Sequence, residues 1–326
     1  MSEIRRLGVL TSGGDGPGMN PAIRAVVRTA LEHQVTPFGI RRGYQGLVDN
    51  DMQEMTARSV GGIIQRGGTV LATARCPAFM MPRGRMEALH NLNSNGVEAL
   101  VVIGGDGSMR GASELHKLGF PVIGIPGSID NDMYGTEMAI GVDTALNTLL
   151  RSIDMIKDTA SSHQRAFLIE VMGRNCGYLG LMGAIAGGAE MALIPEVPFT
   201  LDEVLTGLQN AYVKGKSHCI IVVAEGASHK AEEIKRFLDQ QKEETGFETR
   251  MTILGHVQRG GAASAFDRIL ATRLGVAAVE KLLAGESGVM VGLAKGEIVS
   301  VPLEEVTTKG RPLDMSMVEI ARTLDK

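Results

Sequence analysis

Three glycine-rich turns, each following an apolar run, gather the residue types that handle phosphate. Leu7-Gly8-Val9-Leu10 leads into Thr11-Ser12-Gly13-Gly14-Asp15-Gly16-Pro17-Gly18, and Val101-Val102-Ile103 leads into Gly104-Gly105-Asp106-Gly107-Ser108. Phe120-Pro121-Val122-Ile123-Gly124-Ile125 leads into Pro126-Gly127-Ser128-Ile129-Asp130-Asn131-Asp132. Glycine lets backbone N–H groups approach phosphate oxygens, and a following helix presents its positive end. Aspartate can hold Mg²⁺ or accept a proton. The last turn sets two carboxylates two residues apart at the carboxyl end of a strand, where open α/β sheets bind their ligands. A single turn of this kind serves equally well as a plain strand-to-helix connection. Three together, with an acid in each, describe a site for a phosphorylated ligand with a metal ion.

None of these turns carries the Gly-Lys-Ser/Thr ending of a Walker A loop. The run from Gly13 to Gly18 also lacks the dinucleotide-binding spacing and contains a proline. Phosphate binding must therefore rest on backbone amides, metal and arginines, because the planar guanidinium can donate two hydrogen bonds at once. Arg75 is one candidate. The second half supplies an anion-binding set: Ser161-Ser162-His163-Gln164-Arg165 precedes a strand and Met172-Gly173-Arg174-Asn175-Cys176-Gly177 follows it. Arg250 and Gly255-His256-Val257-Gln258-Arg259-Gly260-Gly261 come later. Singly, each arginine reads as a solvated or salt-bridged side chain and His256 as a structural residue; their glycine neighbours favour function.

Positioning these groups calls for a parallel sheet covered by helices. Short apolar strands alternate with amphipathic stretches almost throughout. Strands are expected at 7–10, 36–40, 99–103 and 122–125, with helices at 19–32 and 108–118. A helical stretch at 142–157 then leads to strands at 166–171, 192–195, 219–224 and 252–254. That restart predicts a second lobe. No low-complexity linker marks the border, so the chain can cross between lobes more than once, and a helix at 263–283 can return to the first. The charged segment 230–250 reads as an exposed helix and turn.

Length and composition agree. The chain has 326 residues, enough for two α/β cores, and its 44% hydrophobic and 21% charged content is that of a globular protein. A net charge of -4 argues against general nucleic-acid binding, which needs a basic face. Cys76, Cys176 and Cys219 are odd in number and without metal-type spacing, as in a reducing, cytoplasmic setting. No export signal or membrane-spanning stretch is read, and the lack of tryptophan and the 18 methionines carry no function.

From about Leu7 to about Gly288, these motifs in combination resemble the ATP-dependent 6-phosphofructokinase family in its short bacterial form. The resemblance implies an α/β protein of two Rossmann-like lobes with parallel helix-covered sheets. Residues 1–141 with about 255–305 would form the nucleotide-binding lobe, and 142–254 with about 306–326 the sugar-phosphate-binding lobe. It implies a cytoplasmic homotetramer that transfers the ATP γ-phosphoryl group to the 1-hydroxyl of fructose 6-phosphate. Asp130 corresponds to the general base, with Asp132 and Ser128 beside it, Arg174 to the stabiliser of the transferred group and Asp106 to the Mg²⁺ ligand. Gly14, Tyr44, Arg75, Gly107 and Ser108 match nucleotide-binding positions. Met172, Gly173, Glu225, His256 and Arg259 match sugar-phosphate positions, with Arg165 and Arg250 expected from a neighbouring subunit. Arg24, Arg28, Glu190, Lys214 and Lys216 match an effector site.

Departures from the family pattern are few. Ser128 stands for threonine and keeps the hydroxyl, and Pro21 replaces an alanine early in a helix, where proline is tolerated. Lys157 and Ala57 each replace an arginine of the effector site, which leaves control by ADP or phosphoenolpyruvate open. Pyrophosphate-dependent relatives typically carry aspartate at Gly107 and lysine at Gly127, so both glycines favour ATP. A non-catalytic nucleotide sensor would have been indicated by loss of Asp130, Asp106 or Arg174, all of which are present. A related acceptor such as tagatose 6-phosphate stays open.

Overall fold

Strands buried on both faces read as continuous apolar runs, and the interior strands here follow that rule. In the computed structural model, which describes residues 4–324, the chain opens with β1 (Arg6–Ser12), α1 (Met19–Glu32), β2 (Thr36–Ile40), α2 (Tyr44–Val48) and β3 (Met52–Glu54). There follow α3 (Pro82–Ser94), β4 (Ala99–Gly104), α4 (Asp106–Lys117), β5 (Val122–Pro126) and α5 (Val142–His163). Next come β6 (Arg165–Val171), α6 (Tyr178–Gly187), β7 (Met191–Leu193), α7 (Leu201–Val213), β8 (Cys219–Ala224), α8 (Ala231–Gln240), α9 (Lys242–Thr245) and β9 (Glu248–Ile253). The last elements are α10 (Ala265–Leu283), β10 (Val289–Ala294), β11 (Glu297–Pro302), α11 (Leu303–Thr308) and α12 (Met315–Leu324).

The described chain divides into two compact units, one of residues 4–129, 133–144 and 259–311, the other of 130–132, 145–258 and 312–324. The first contains a seven-stranded sheet in the order β11-β10-β5-β4-β1-β2-β3. All six residues of β4 are buried, paired in parallel with β1 and β5. One face is covered by α1 and α10: Met19, Ile23, Val26 and Val27 pack with Leu270, Leu274 and Ala278 in one cluster. Full burial of such a side chain contributes about 1.5–3 kcal/mol. Gly275 lets the two helices approach, since a Cβ there would stand 3.0 Å from the Ala22 carbonyl oxygen. The other face is covered by Met109, Ala112 and Leu115 of α4 with Leu92 of α3 and Val306 of α11.

The second unit contains a four-stranded, wholly parallel sheet in the order β7-β8-β6-β9. Every residue of β8 is buried. Leu208, Ile234 and Leu238 of α7 and α8 pack on one face, and Leu149 and Ile153 of α5 with Ala184 of α6 on the other.

Several sequence expectations need correction. The seven-stranded sheet is parallel inside but antiparallel at both edges, where β3 pairs with β2 and β11 with β10. The β10–β11 connection is a two-residue hairpin through Lys295 and Gly296, both at positive φ, and such a turn can join only antiparallel strands. Segment 230–250 is more than an exposed helix and turn. It holds α8, which buries Ala231, Ile234 and Leu238, then α9 and the first half of β9. Charged residues conceal β9 because it is an edge strand, with Glu248 and Arg250 on one face and buried Thr249 on the other. Helix α5 runs on past residue 157 to His163.

Candidate active site

In the first unit, β5, β4 and β1 lie side by side, so their three glycine turns emerge together at the carboxyl end of the sheet. The chain leaves β1 toward β2 on one side and toward β4 on the other, and ligands of open α/β sheets bind at such a switch point. The turns touch through backbone: Gly127 N–H donates to the Gly104 carbonyl at 2.9 Å, and a Cβ on Gly104 would overlap the Ser12 carbonyl oxygen and the Ser108 hydroxyl. Helix α4 begins directly after Gly105, with no side-chain cap, so its first amides and its positive end face the turn. The Ser108 hydroxyl is buried and has no hydrogen-bond partner among the described residues. An orphaned hydroxyl at the positive end of a helix is what a phosphate oxygen satisfies.

Neighbouring elements hold this arrangement. Tyr44 is buried, stacked on Phe79 with ring centroids 4.2 Å apart, and its hydroxyl donates to the Ser108 carbonyl at 2.6 Å. Burial pushes its phenol far above the ordinary value. Tyr44 therefore steadies the first turn of α4. Thr73 donates to the Gly13 carbonyl at 2.7 Å, and Thr11 donates to the Ala72 carbonyl at 3.0 Å. Those bonds dock the segment carrying exposed Arg75 onto the end of β1. Arg259 lies across Gly14, donating from Nη1 to the Asp15 carbonyl at 3.2 Å. A Cβ on Gly107 would meet nothing within 4 Å.

Asp106 is the acidic residue of α4's first turn, and its carboxylate is 40% exposed and 3.0 Å from Arg110 Nη2. No group of three or more acidic, histidine or cysteine side chains suited to a metal occurs among the described residues. Mg²⁺ commonly takes one or two carboxylates and completes its shell with water and substrate phosphates, so an accessible Asp106 fits it.

In the second unit, the corresponding turns follow β6, β8 and β9. Glu225 Oε1 accepts from Arg174 N at 2.7 Å and Gly173 N at 3.2 Å, tying the turn after β6 to the end of β8. The turn is tight: Arg174 has φ 50°, and a Cβ on Gly226 would overlap the Arg174 carbonyl. Left-handed backbone at a non-glycine residue is a conformation that functional sites often retain. The result is that Arg174 Nε lies 3.5 Å from Asp130 Oδ2, with the Asp130 side chain 4% exposed and Arg174 66% exposed. Asn131, next to Asp130, is also left-handed at φ 53°. Asp132 is half-buried. Gln258 Oε1 accepts from Met172 N at 3.4 Å and its amide donates to the Gly255 carbonyl, leaving His256 exposed on the same 3₁₀ turn.

Arg165 and Arg250 share one carboxylate. Arg165 Nε donates to Glu248 Oε2 at 2.7 Å, and Arg250 Nη2 bonds to Oε1. The Arg165 hydrogen bond holds the Glu248 carboxyl below the ordinary range.

The expected effector residues are distributed between the units. Arg24 is half-buried and Arg28 exposed on α1 of the first. In the second, Lys157 donates to the Gly188 carbonyl at 3.0 Å, Glu190 accepts from Ile220 N at 2.6 Å, and Lys216 lies 3.4 Å from Glu190. Gly188, Glu190 and Lys216 line a cavity of about 250 Å³ with Val318 and Arg322 of α12. Lys214 closes α7.

Several supporting residues were not read from the sequence: Thr73, Glu248, the amide of Gln258, and a buried cluster in the first unit. There Asp267 accepts from Gly141 N, Thr144 N and the Thr144 hydroxyl at 2.5–2.9 Å. Burial pushes the Asp267 carboxyl up. Ser264 caps α10 and donates to Asp143. The Ser264-x-x-Asp267 spacing of a helix start was the available signal for this cluster.

Glycine turns at the carboxyl ends of parallel strands place the chain among the α/β proteins that bind ligands at such turns, and a family model described as phosphofructokinase matches residues 6–282. The chain belongs to the phosphofructokinase family. It is 50% identical over 321 residues to the ATP-dependent 6-phosphofructokinase of Bacillus pumilus (strain SAFR-032), covering 98% of this chain and 99% of the relative. It is 50% identical over 330 residues to the protein of the same description from Halothermothrix orenii, with the same coverage. Among solved structures, Pichia pastoris phosphofructokinase in the T-state superposes with a TM-score of 0.89 at 37% identity, over 100% of this chain. The present chain spans 37% of the Pichia chain. Among the described residues no helix is long and apolar enough to cross a membrane.

Proposed function

We propose that this protein transfers the γ-phosphoryl group of ATP to the 1-hydroxyl of fructose 6-phosphate, giving fructose 1,6-bisphosphate and ADP in glycolysis. The observation that carries this reading is the Asp130–Arg174 pair, a buried carboxylate and an accessible guanidinium 3.5 Å apart. Phosphoryl transfer asks the protein for a base at the attacking hydroxyl, charge stabilisation at the moving group and positioning of both. Asp130 accepts the hydroxyl proton, with Asp132 and Ser128 beside it in sequence. Arg174 turns its guanidinium to the oxygens of the transferred group.

We assign nucleotide binding to the first unit, through Gly14, Arg75, Gly107 and Ser108, with Tyr44 acting through the carbonyl of Ser108. Asp106 would hold Mg²⁺, which when bound neutralises charge on the nucleotide phosphates. The sugar phosphate is assigned to Met172, Gly173, Glu225, His256 and Arg259. Glu225 contributes by holding the 173–174 turn with Oε1. Arg165 and Arg250 are proposed to serve a neighbouring subunit of a cytoplasmic homotetramer. Arg24, Arg28, Lys157, Glu190, Lys214 and Lys216 are proposed as the effector site.

The unobstructed space at Gly107 favours a nucleotide over pyrophosphate as donor. The test is product identification with purified protein: ATP, Mg²⁺ and fructose 6-phosphate should yield a doublet of phosphate resonances at C1 and C6 of fructose, and a chelator should stop its formation. Absence of the C1 phosphate would refute the reading.

A further inference from the structure

We infer that Glu248 is a positioning residue that sets the spacing and orientation of Arg165 and Arg250 as a two-guanidinium claw for a phosphate dianion. The inference rests on the proposed role of those arginines in sugar-phosphate binding. Register brings the three together: Arg165 on β6 pairs opposite Glu248 on β9, and Arg250, two residues further along β9, projects from the same face as Glu248. Thr249 turns to the opposite face, where its hydroxyl donates to Asp239. Each oxygen of the Glu248 carboxylate takes one arginine.

The donors used matter. Among the described residues Arg165 is engaged through Nε, which keeps both of its Nη groups for a second acceptor, and Arg250 is engaged through Nη2, which keeps Nε and Nη1. The triad carries a net charge of +1, and the Lys242 ammonium also acts on Glu248. Two guanidinium groups on an edge strand repel one another; a carboxylate bridging them reduces that repulsion and fixes their planes. A carboxylate that orients a ligand-binding side chain from behind is a common arrangement, and its loss typically weakens the site by one to two orders of magnitude at metal centres. On this partly exposed surface the lower end applies, about tenfold.

The experiment compares Glu248→Gln, Glu248→Asp, Arg165→Ala and Arg250→Ala in the full-length protein, with KM for fructose 6-phosphate, KM for ATP and kcat measured separately. Glu248→Gln should raise KM for fructose 6-phosphate about tenfold, with KM for ATP and kcat each within about twofold of the parent. Glu248→Asp, which keeps the charge on a shorter stem, should raise it less. A fall in KM with Glu248→Gln would mean the carboxylate competes with phosphate, and would overturn the proposal. So would an unchanged KM while the arginine variants raise it, an outcome that leaves the binding role of the arginines standing. If neither arginine variant moves that KM, the binding role fails and the proposal fails with it.

Discussion

Replacing Asp130 by asparagine keeps the shape of the side chain and removes the oxygen that accepts the proton. The structure separates the consequences for catalysis from those for folding. The Asp130 side chain is 4% exposed, so the carboxylate is held in one place with little solvent to substitute for it as base. Its partner Arg174 is 66% exposed, so the guanidinium that loses its counter-charge stays hydrated, and an ion pair open to solvent at one end is worth about 0–1 kcal/mol. General-base catalysis contributes about 10²- to 10⁴-fold. At 1.36 kcal/mol for each factor of ten, the barrier should rise by about 2.7–5.4 kcal/mol. An ADP-release assay at saturating ATP should show kcat reduced at least about 100-fold. Binding of fructose 6-phosphate should change much less, and the thermal midpoint should stay within a few degrees of the parent. A correctly folded Asp130→Asn protein whose kcat lies within tenfold of the parent would remove Asp130 from the role of base.

If active sites are shared between subunits, mixing Arg165→Ala with Asp130→Asn should restore part of the activity, because some interfaces then pair an intact Asp130 with an intact Arg165. Activity no higher than that of the two parents, after confirmed subunit exchange, would exclude sharing. Asp267→Ala removes the acceptor of two amides, Gly141 N and Thr144 N, and should destabilise the first unit by about 1–3 kcal/mol for each, measured by urea unfolding. The Asp267 carboxyl is pushed up by burial, so just above the ordinary aspartate value of about 4 the folded state binds more protons than the unfolded state. Relative to Asp267→Asn, the parent should therefore lose stability as pH rises through that window; a gain would contradict the shift.

Much of the strand framework was legible because buried parallel strands leave an unmistakable apolar run. Ala99 to Ile103 and Cys219 to Ala224 contain no polar residue to confuse the period. Helix α1 was equally plain from Met19, Ile23, Val26 and Ala30 at helical spacing, all buried. The edges were not. Strand β9 exposes Arg250 and half-exposes Glu248, so its charges look like a solvated helix until a neighbour in the sheet is known. One passage of the chain between units was concealed for another reason: it falls inside α5, between Thr144 and Ala145, where an uninterrupted helix leaves no linker composition.

The close backbone approach at Gly104 was legible from its glycine-rich turn, since a Cβ there would overlap the Ser12 carbonyl oxygen. What composition could not supply was how side chains divide their hydrogen bonds. Tyr44 turned inward to the Ser108 carbonyl, Glu225 to the amides of residues 173 and 174, and Glu248 to two arginines. Each of these depends on residues that are distant in sequence and adjacent only in the fold.

The central claim is ATP-dependent phosphorylation of fructose 6-phosphate at C1, and a donor comparison tests it most directly. Purified protein with Mg²⁺ and fructose 6-phosphate should form fructose 1,6-bisphosphate at a rate set by ATP, with pyrophosphate supporting no turnover. Faster turnover with pyrophosphate than with ATP would contradict the account.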